Sequence, residues 1–319
     1  MTRHGTTSKA TNRDVAVAAL TLGGVLLAGC AGGPLGALGT LGAGNGGSLM
    51  RDLRVLAADD MAGRAPGTEG GAKARAYLLG RLREVGLQPF AGGWEQPFTR
   101  QSRGKTVGGV NLLGFVRGTA RPDRWIVVTA HYDHLGVREG QIHNGADDNA
   151  SGVASMLELA RALRTAAPRH SVAFVALDAE EQGLAGARAF VEAPPVPLSQ
   201  VALNLNLDMT ARADDGLLWV AGAHQHPSLR PILEPLTAEG PVSLRFGKDT
   251  PADKGPDNWV MASDHGAFHE KGVPFLYFGV DYHPDYHAPT DDADKVEPAR
   301  LEASTRLIVR AFRALDAAL

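Results

Sequence analysis

Two glutamates, Glu180 and Glu181, directly follow an apolar run, SVAFVAL, that reads as a buried strand. Neighbouring carboxylates at such a strand end repel one another, and burial deepens the cost. A cation facing at least one of them removes the difficulty, which directs attention to that cation's other ligands. His131 and Asp133 leave the run WIVVTA two residues apart, so at a strand end they point to one side. An imidazole on a metal usually gives its other N–H to a carboxylate; by itself, His-x-Asp more often describes a hydrogen-bonded structural histidine. NGADDNASG carries Asp147 and Asp148 just ahead of a helix. Helix capping accounts for one of them and leaves the other on the loop, free for a cation. In VALNLNLDMT the polar residues Asn204, Asn206 and Asp208 alternate with leucines. Inside a sheet that polar face needs hydrogen bonds or a metal; on an exposed antiparallel edge it needs neither. YHAPTDD offers His287 in a turn-rich loop, with His283 four residues earlier as its competitor. His134, His143, His224, His226, His265 and His269 lack a comparable strand-end setting and read as surface or supporting residues.

The elements that must position these groups are legible in the periodicity. Residues 125–130, 171–177, 201–207 and 273–280 are apolar strand candidates, and continuous apolar runs suit strands covered on both faces. GTEGGAKARAYLLGRLREVGL is a helix with Leu78, Leu82 and Val85 on one stripe, stopped by Gly86. SGVASMLELARAL places Val153, Met156, Leu157, Ala160 and Leu163 on one stripe, and Pro298 opens a C-terminal helix. Strands separated by helices predict an α/β fold, doubly wound, with a mostly parallel sheet and helices on both faces. Four strands then deliver acids and imidazoles to one edge, where ligands of open α/β sheets collect.

The 319 residues hold 35 acidic and 32 basic side chains. No basic excess draws in phosphate backbones, so a nucleic-acid partner is not expected. Arg3, Lys9 and Arg13 precede an apolar stretch at residues 15–29 that is too short and too rich in Gly and Ala for a comfortable membrane span. It ends in LAGC, which resembles the lipobox of bacterial lipoproteins and makes Cys30 the expected lipidation site. Cys30 is the single cysteine, so a disulfide within the chain and a thiolate metal site are both excluded. The expected organisation is a signal peptide at 1–29, a lipidated cysteine with a Gly-rich tether at 30–48, and one catalytic domain at 49–319. The protein is expected to be exported and lipid-anchored to the cell envelope.

HYDHLG, NGADDNASG, LDAEEQGL, NLDMT and YHAPTDD, in this order and over these gaps, together resemble the co-catalytic zinc aminopeptidases of metallopeptidase family 28. The likeness runs from RDLRVLAADDMAGRAPGTEGG to YHAPTDDADKV and covers nearly all of the chain beyond the tether. It implies a zinc-exopeptidase fold and an enzyme that removes N-terminal residues from peptides. By the resemblance, His131, Asp147, Glu181, Asp208 and His287 are the metal ligands, with Asp147 bridging two Zn²⁺ ions. Asp133 orients His131, and Glu180 is the acid/base acting on a metal-bridging water. Three ligand carboxylates and one hydroxide balance two divalent cations, and the all N/O shell also admits Co²⁺ or Mn²⁺. MASDHGAFHEKGVP resembles the family's SDH segment and places Asp264 and His265 near substrate, although a plain helix cap explains them equally. The tyrosine that some members carry just ahead of it is absent, since Trp259 and Val260 stand there. A glutaminyl-cyclase-like enzyme with one zinc, a carboxypeptidase, and a peptide-binding relative without chemistry are the alternative readings. NGADDNASG argues against the cyclase, and the intact ligand set against the inactive binder.

Overall fold

The computed structural model describes residues 45–319. The expected signal peptide, Cys30 and residues 30–44 of the tether lie outside the described residues. Residues 45–48, expected as the tether's end, are the first turn of helix α1 (Asn45–Leu56). The reason is an apolar stripe just beyond it: Leu49, Met50, Leu53 and Leu56 are buried in the main core.

The remaining helices are α2 (Glu69–Glu84), α3 (Gly152–Leu163), α4 (Ala185–Glu192), the single turn α5 (Arg230–Leu233), α6 (His265–Glu270) and α7 (Pro298–Ala318). The strands are β1 (Glu95–Ser102), β2 (Lys105–Val116), β3 (Arg121–His131), β4 (Gly136–Arg138), β5 (Gln141–His143), β6 (His170–Leu177), β7 (Val201–Leu207), β8 (Leu217–Ala221), β9 (Ala238–Glu239), β10 (Val242–Phe246) and β11 (Phe275–Gly279). Nine of them form one mixed sheet in the order β1-β2-β6-β3-β7-β11-β8-β10-β9, with β4 and β5 paired separately.

Its centre is parallel. β6 and β7 flank β3, and β11 follows β7, all in one direction. The hairpin β1–β2 adds antiparallel to β6, and β8 adds antiparallel to β11. The alternation along β3 explains the two-sided core. Ile126, Val128 and Ala130 face one cluster with residues of α1, α2, α3 and α7. Trp125 and Val127 face a second cluster with Phe190 of α4 and Phe268 of α6. Helices therefore cover both faces, as expected of the α/β architecture.

Chain order and spatial order part company at β3. The chain goes next to β6 on one side and then to β7 on the other, and such a reversal opens a crevice at the carboxyl ends of the strands. β7 settles the question raised by its alternating sequence, because it is a central buried strand. Asn204 donates to the Val127 carbonyl at 3.1 Å and to Thr129 at 3.0 Å. Asn206 accepts from Thr129 at 2.6 Å and donates to Ser263 at 2.9 Å. Among the described residues no helix is long and apolar enough to cross a membrane.

Candidate metal centre

β3 ends on His131, β6 runs into the loop holding Asp178, Glu180 and Glu181, and β7 delivers Asp208. The loop after β11 brings in His283 and His287, and the loop between β5 and α3 brings in Asp147 and Asp148. Around His131 two carboxylate oxygens converge, Asp208 Oδ1 and Asp148 Oδ1, each 3.2 Å from Nε2. Around His287 two more converge, Asp148 Oδ2 at 3.1 Å and Glu181 Oε2 at 3.3 Å from Nε2. Asp148 thus turns one oxygen to each group.

These spacings fit a metal. Two donor atoms each about 2.0–2.2 Å from one tetrahedral ion stand roughly 3.3–3.6 Å apart. The chemistry agrees, since imidazoles and carboxylates suit zinc. The electrostatics agree as well. Burial opposes a proton on His131, but Asp208, Asp133 and Asp148 prevail and hold its pKa well above the usual value. For His287, burial is again overcome by Asp148 and Glu181, and the pKa is pushed up to about 10. Burial and the charge of Asp148 work against ionisation of Glu181, yet His134 and His287 bring it down to about 2. The cluster therefore calls for positive charge at several points at once.

The structure moves the shared carboxylate by one residue. Asp147, expected to bridge, faces away from both groups. Its Oδ1 accepts from the Ala211 amide at 2.7 Å and from Ser151 Oγ at 3.0 Å, and its Oδ2 meets His283 Nε2 at 3.1 Å. The cause is local backbone. Asp148 lies in an extended conformation, φ −103° and ψ 92°, so successive side chains point opposite ways. Nor does either aspartate cap α3: the Gly152 amide donates to Asn149 Oδ1 at 2.9 Å. His283 thereby becomes a partner of Asp147, and His287 is the histidine that reaches the cluster.

Asp133 stands beside His131 as expected, but makes its closest contact through the main chain. His131 Nδ1 lies 3.1 Å from the Asp133 main-chain carbonyl. The carboxylate stands 3.7 Å from that nitrogen and accepts the Glu180 amide at 3.0 Å. Asp133 so fixes both the imidazole and the backbone of Glu180. Burial, then Glu181, Asp264 and Asp208, push the Glu180 carboxyl well above the ordinary range, against the opposing pull of His131. Asp264 is fully buried with both oxygens lacking a hydrogen-bond partner. Burial, with the charges of Asp133 and Asp208, pushes it up to about 8. His265 turns from the cluster, with Nε2 2.7 Å from the Trp259 carbonyl and its ring stacked on Phe275. It is a packing residue.

Of three supporting residues, Arg64 and Asp291 escaped the sequence reading, and His134 was left there as a surface or supporting residue. His134 is almost wholly buried, with Nδ1 2.9 Å from Glu181 Oε1. Asp291 accepts the amides of Asp147 and Asp148 at 3.0 Å and so shapes their loop. Arg64, fully buried, donates to the carbonyls of Leu56, Tyr132, Asn144 and Gly145 and ties the end of β3 to the same loop. Burial lowers its pKa to about 10. The available signals were position only: His134 lies three residues past His131, and Asp291 lies inside YHAPTDD.

The sequence profile described as Peptidase family M28 matches residues 111–312, a span that contains every group of the cluster from His131 to His287. The chain belongs to peptidase family M28. Aminopeptidase YwaD of Bacillus subtilis is 30% identical to it over 216 residues, 63% of this chain and 43% of that protein. The M28 chain thus spans less than half the length of that curated relative. Among solved structures, the B. subtilis zinc aminopeptidase BSAP matches with a TM-score of 0.63 at 19% identity, over 83% of this chain and 94% of that one. Porphyromonas gingivalis glutaminyl cyclase matches with a TM-score of 0.67 at 20% identity, over 86% and 98%. At such identities the two structures establish the shared fold.

Proposed function

We propose that this M28 chain is a di-zinc exopeptidase that removes N-terminal residues from peptides. One observation carries the reading: two groups of imidazole and carboxylate atoms share Asp148 at the carboxyl ends of β3, β6 and β7, with Glu180 beside them. His131, Asp148 and Asp208 would hold one ion, and Asp148, Glu181 and His287 the other. Ions bound there supply Lewis acidity toward the scissile carbonyl and a water of lowered pKa. The protein's own part falls to Glu180, whose carboxylate takes the proton of the attacking water and returns it to the leaving amine nitrogen. Asp133 positions Glu180 through its amide, and Arg64 and Asp291 fix the loop that carries Asp148. Glu180 and Glu181 are adjacent because one serves the proton and the other the cation.

Aminoacyl-nitroanilides together with blocked and unblocked peptides, assayed with and without a chelator, test the reaction. Chelator-sensitive release from free N-termini alone is expected; cleavage of blocked peptides at their C-terminal ends would reassign the enzyme as a carboxypeptidase. Metal content separates the classes. Two ions per chain fit the hydrolase, one a glutaminyl-cyclase-like enzyme, and none a peptide-binding relative. The lipobox-like LAGC supports export and lipid anchoring at Cys30, and the N/O donor set would also accept Co²⁺ or Mn²⁺ in place of zinc. Palmitate labelling that persists in Cys30→Ser would refute the anchor.

A further inference from the structure

His134 lies in the loop between β3 and β4, 1% exposed. Its Nδ1 stands 2.9 Å from Glu181 Oε1 and 3.8 Å from Asp148 Oδ2. The short approach is not aligned as a hydrogen bond: His134 Nδ1, His134 Nε2 and Glu181 Oε1 are all buried without a hydrogen-bond partner. Buried polar atoms are almost always paired, and here a nitrogen and an oxygen face one another unpaired at close range. The ring has little room to turn elsewhere. Gly145 lies against it so tightly that a Cβ there would come within 2.5 Å of His134 Cδ2. His287 meets the same two acids through its Nε2, and the two imidazole rings sit edge to face at 5.9 Å.

A cation between His134 Nδ1 and Glu181 Oε1 satisfies both. We propose that His134 is a metal ligand, through Nδ1, to the ion held by Asp148, Glu181 and His287, a proposal that rests on the metal-centre reading above. The two sites then differ. One has four protein ligands, His134, Asp148, Glu181 and His287, the closed shell typical of ions that stay in place; the other has three, His131, Asp148 and Asp208, and keeps a position open. Neutral His134 would bind through the Nδ1 lone pair and leave its proton on Nε2.

The test substitutes Co²⁺ for the native ion in the intact protein and counts imidazole rings with hyperfine-shifted proton resonances. Three rings are expected, and His134→Gln should remove one set. That variant should also weaken the more tightly held ion by more than about 100-fold in chelator competition, beyond what loss of an outer hydrogen bond causes, with the other ion little changed. Two Co²⁺ ions with only two shifted rings in the wild type would overturn the role of His134 and leave the metal centre standing. A wild type that binds no Co²⁺ would overturn the underlying reading instead. If His134→Gln does not fold, the wild-type ring count alone decides.

Discussion

Two regions of this protein bury dense charge, and they settle it in opposite ways. Between α1, α2 and α3, Asp52 is fully buried and receives Arg81 Nε at 2.8 Å, Arg161 at 3.3 Å and the Tyr77 hydroxyl at 2.5 Å. Arg81 also pairs with Glu84, and Arg161 with Glu158. Every acid there meets a guanidinium from the same chain. At the carboxyl ends of the parallel strands, the only cationic side chains that Asp133, Asp148, Asp208 and Glu181 pair with are imidazoles. The nearby guanidinium of Arg64 gives its hydrogen bonds to main-chain carbonyls. The first cluster is complete within the chain; the second has the donor set that a bound cation would complete. Whether the countercharge lies within the chain separates a structural cluster from a working one, and counting charged residues does not.

The sharpest way to break this contrast is to remove a charge that serves the reaction and nothing else. Glu180→Gln should lower turnover by about 10²–10⁴-fold, the usual contribution of a general acid/base, with bound metal unchanged. Turnover within a few-fold of wild type would strip Glu180 of its role. A paired comparison follows at the neighbouring aspartates. Asp148→Asn should lose metal from both groups, measured by elemental analysis of dialysed protein. Asp147→Asn should retain it and instead lose about 1–3 kcal/mol of stability, because its partners Ala211 and His283 are left imperfectly paired. The reverse pattern would restore Asp147 as the bridge.

That pair also marks how far the sequence could be read. The parallel strands, the main helices and the edge where the site lies followed from runs such as WIVVTA and VALNLNL, since burial on both faces imposes an unbroken or alternating apolar pattern. The antiparallel additions did not. EQPFTRQS of β1 is mostly polar and half exposed, and β8 and β10 are short, so their pairing depends on the neighbours and not on their own pattern. Within the site, His131, Glu181, Asp208 and His287 converge as their strand ends and loops suggested. The choice between Asp147 and Asp148 turned on one extended residue's φ and ψ, which composition and spacing do not encode. His134 and Arg64 were hidden for a related reason: their importance comes from burial and from the groups they face, the Glu181 carboxylate and main-chain carbonyls respectively, which is visible only in three dimensions.

Breaking the self-sufficient cluster should look different. Arg81→Met leaves Asp52 buried with a lost partner and should cost about 3–5 kcal/mol of unfolding free energy, with turnover per folded molecule preserved. Replacing Asp52 as well, in Asp52→Leu with Arg81→Met, should recover much of that loss, because no uncompensated charge remains. Urea unfolding curves read both. A double variant as unstable as the single would show that packing, and not charge, holds α1 against α2.

The smallest effect concerns a third way of burying an ionisable group, which is to keep it neutral. His265 is fully buried between Phe275 and Tyr277, and burial lowers its pKa from 6.5 to about 4. Because the folded value lies below the unfolded one, the unfolded chain binds the proton first as the solution is acidified. The stability associated with neutral His265 is therefore fully present above pH 6.5 and is lost as pH falls from 6.5 toward 4, at about 1.4 kcal/mol per pH unit where only the unfolded state is protonated. His265→Gln keeps a neutral donor for the Trp259 carbonyl at every pH. The wild-type-minus-variant difference in unfolding free energy, from urea titrations across this window, should slope by close to one proton. Other histidines cancel in that difference, so a flat result would mean that His265 is charged in the folded protein and that its contact with Trp259 is not the neutral hydrogen bond described here.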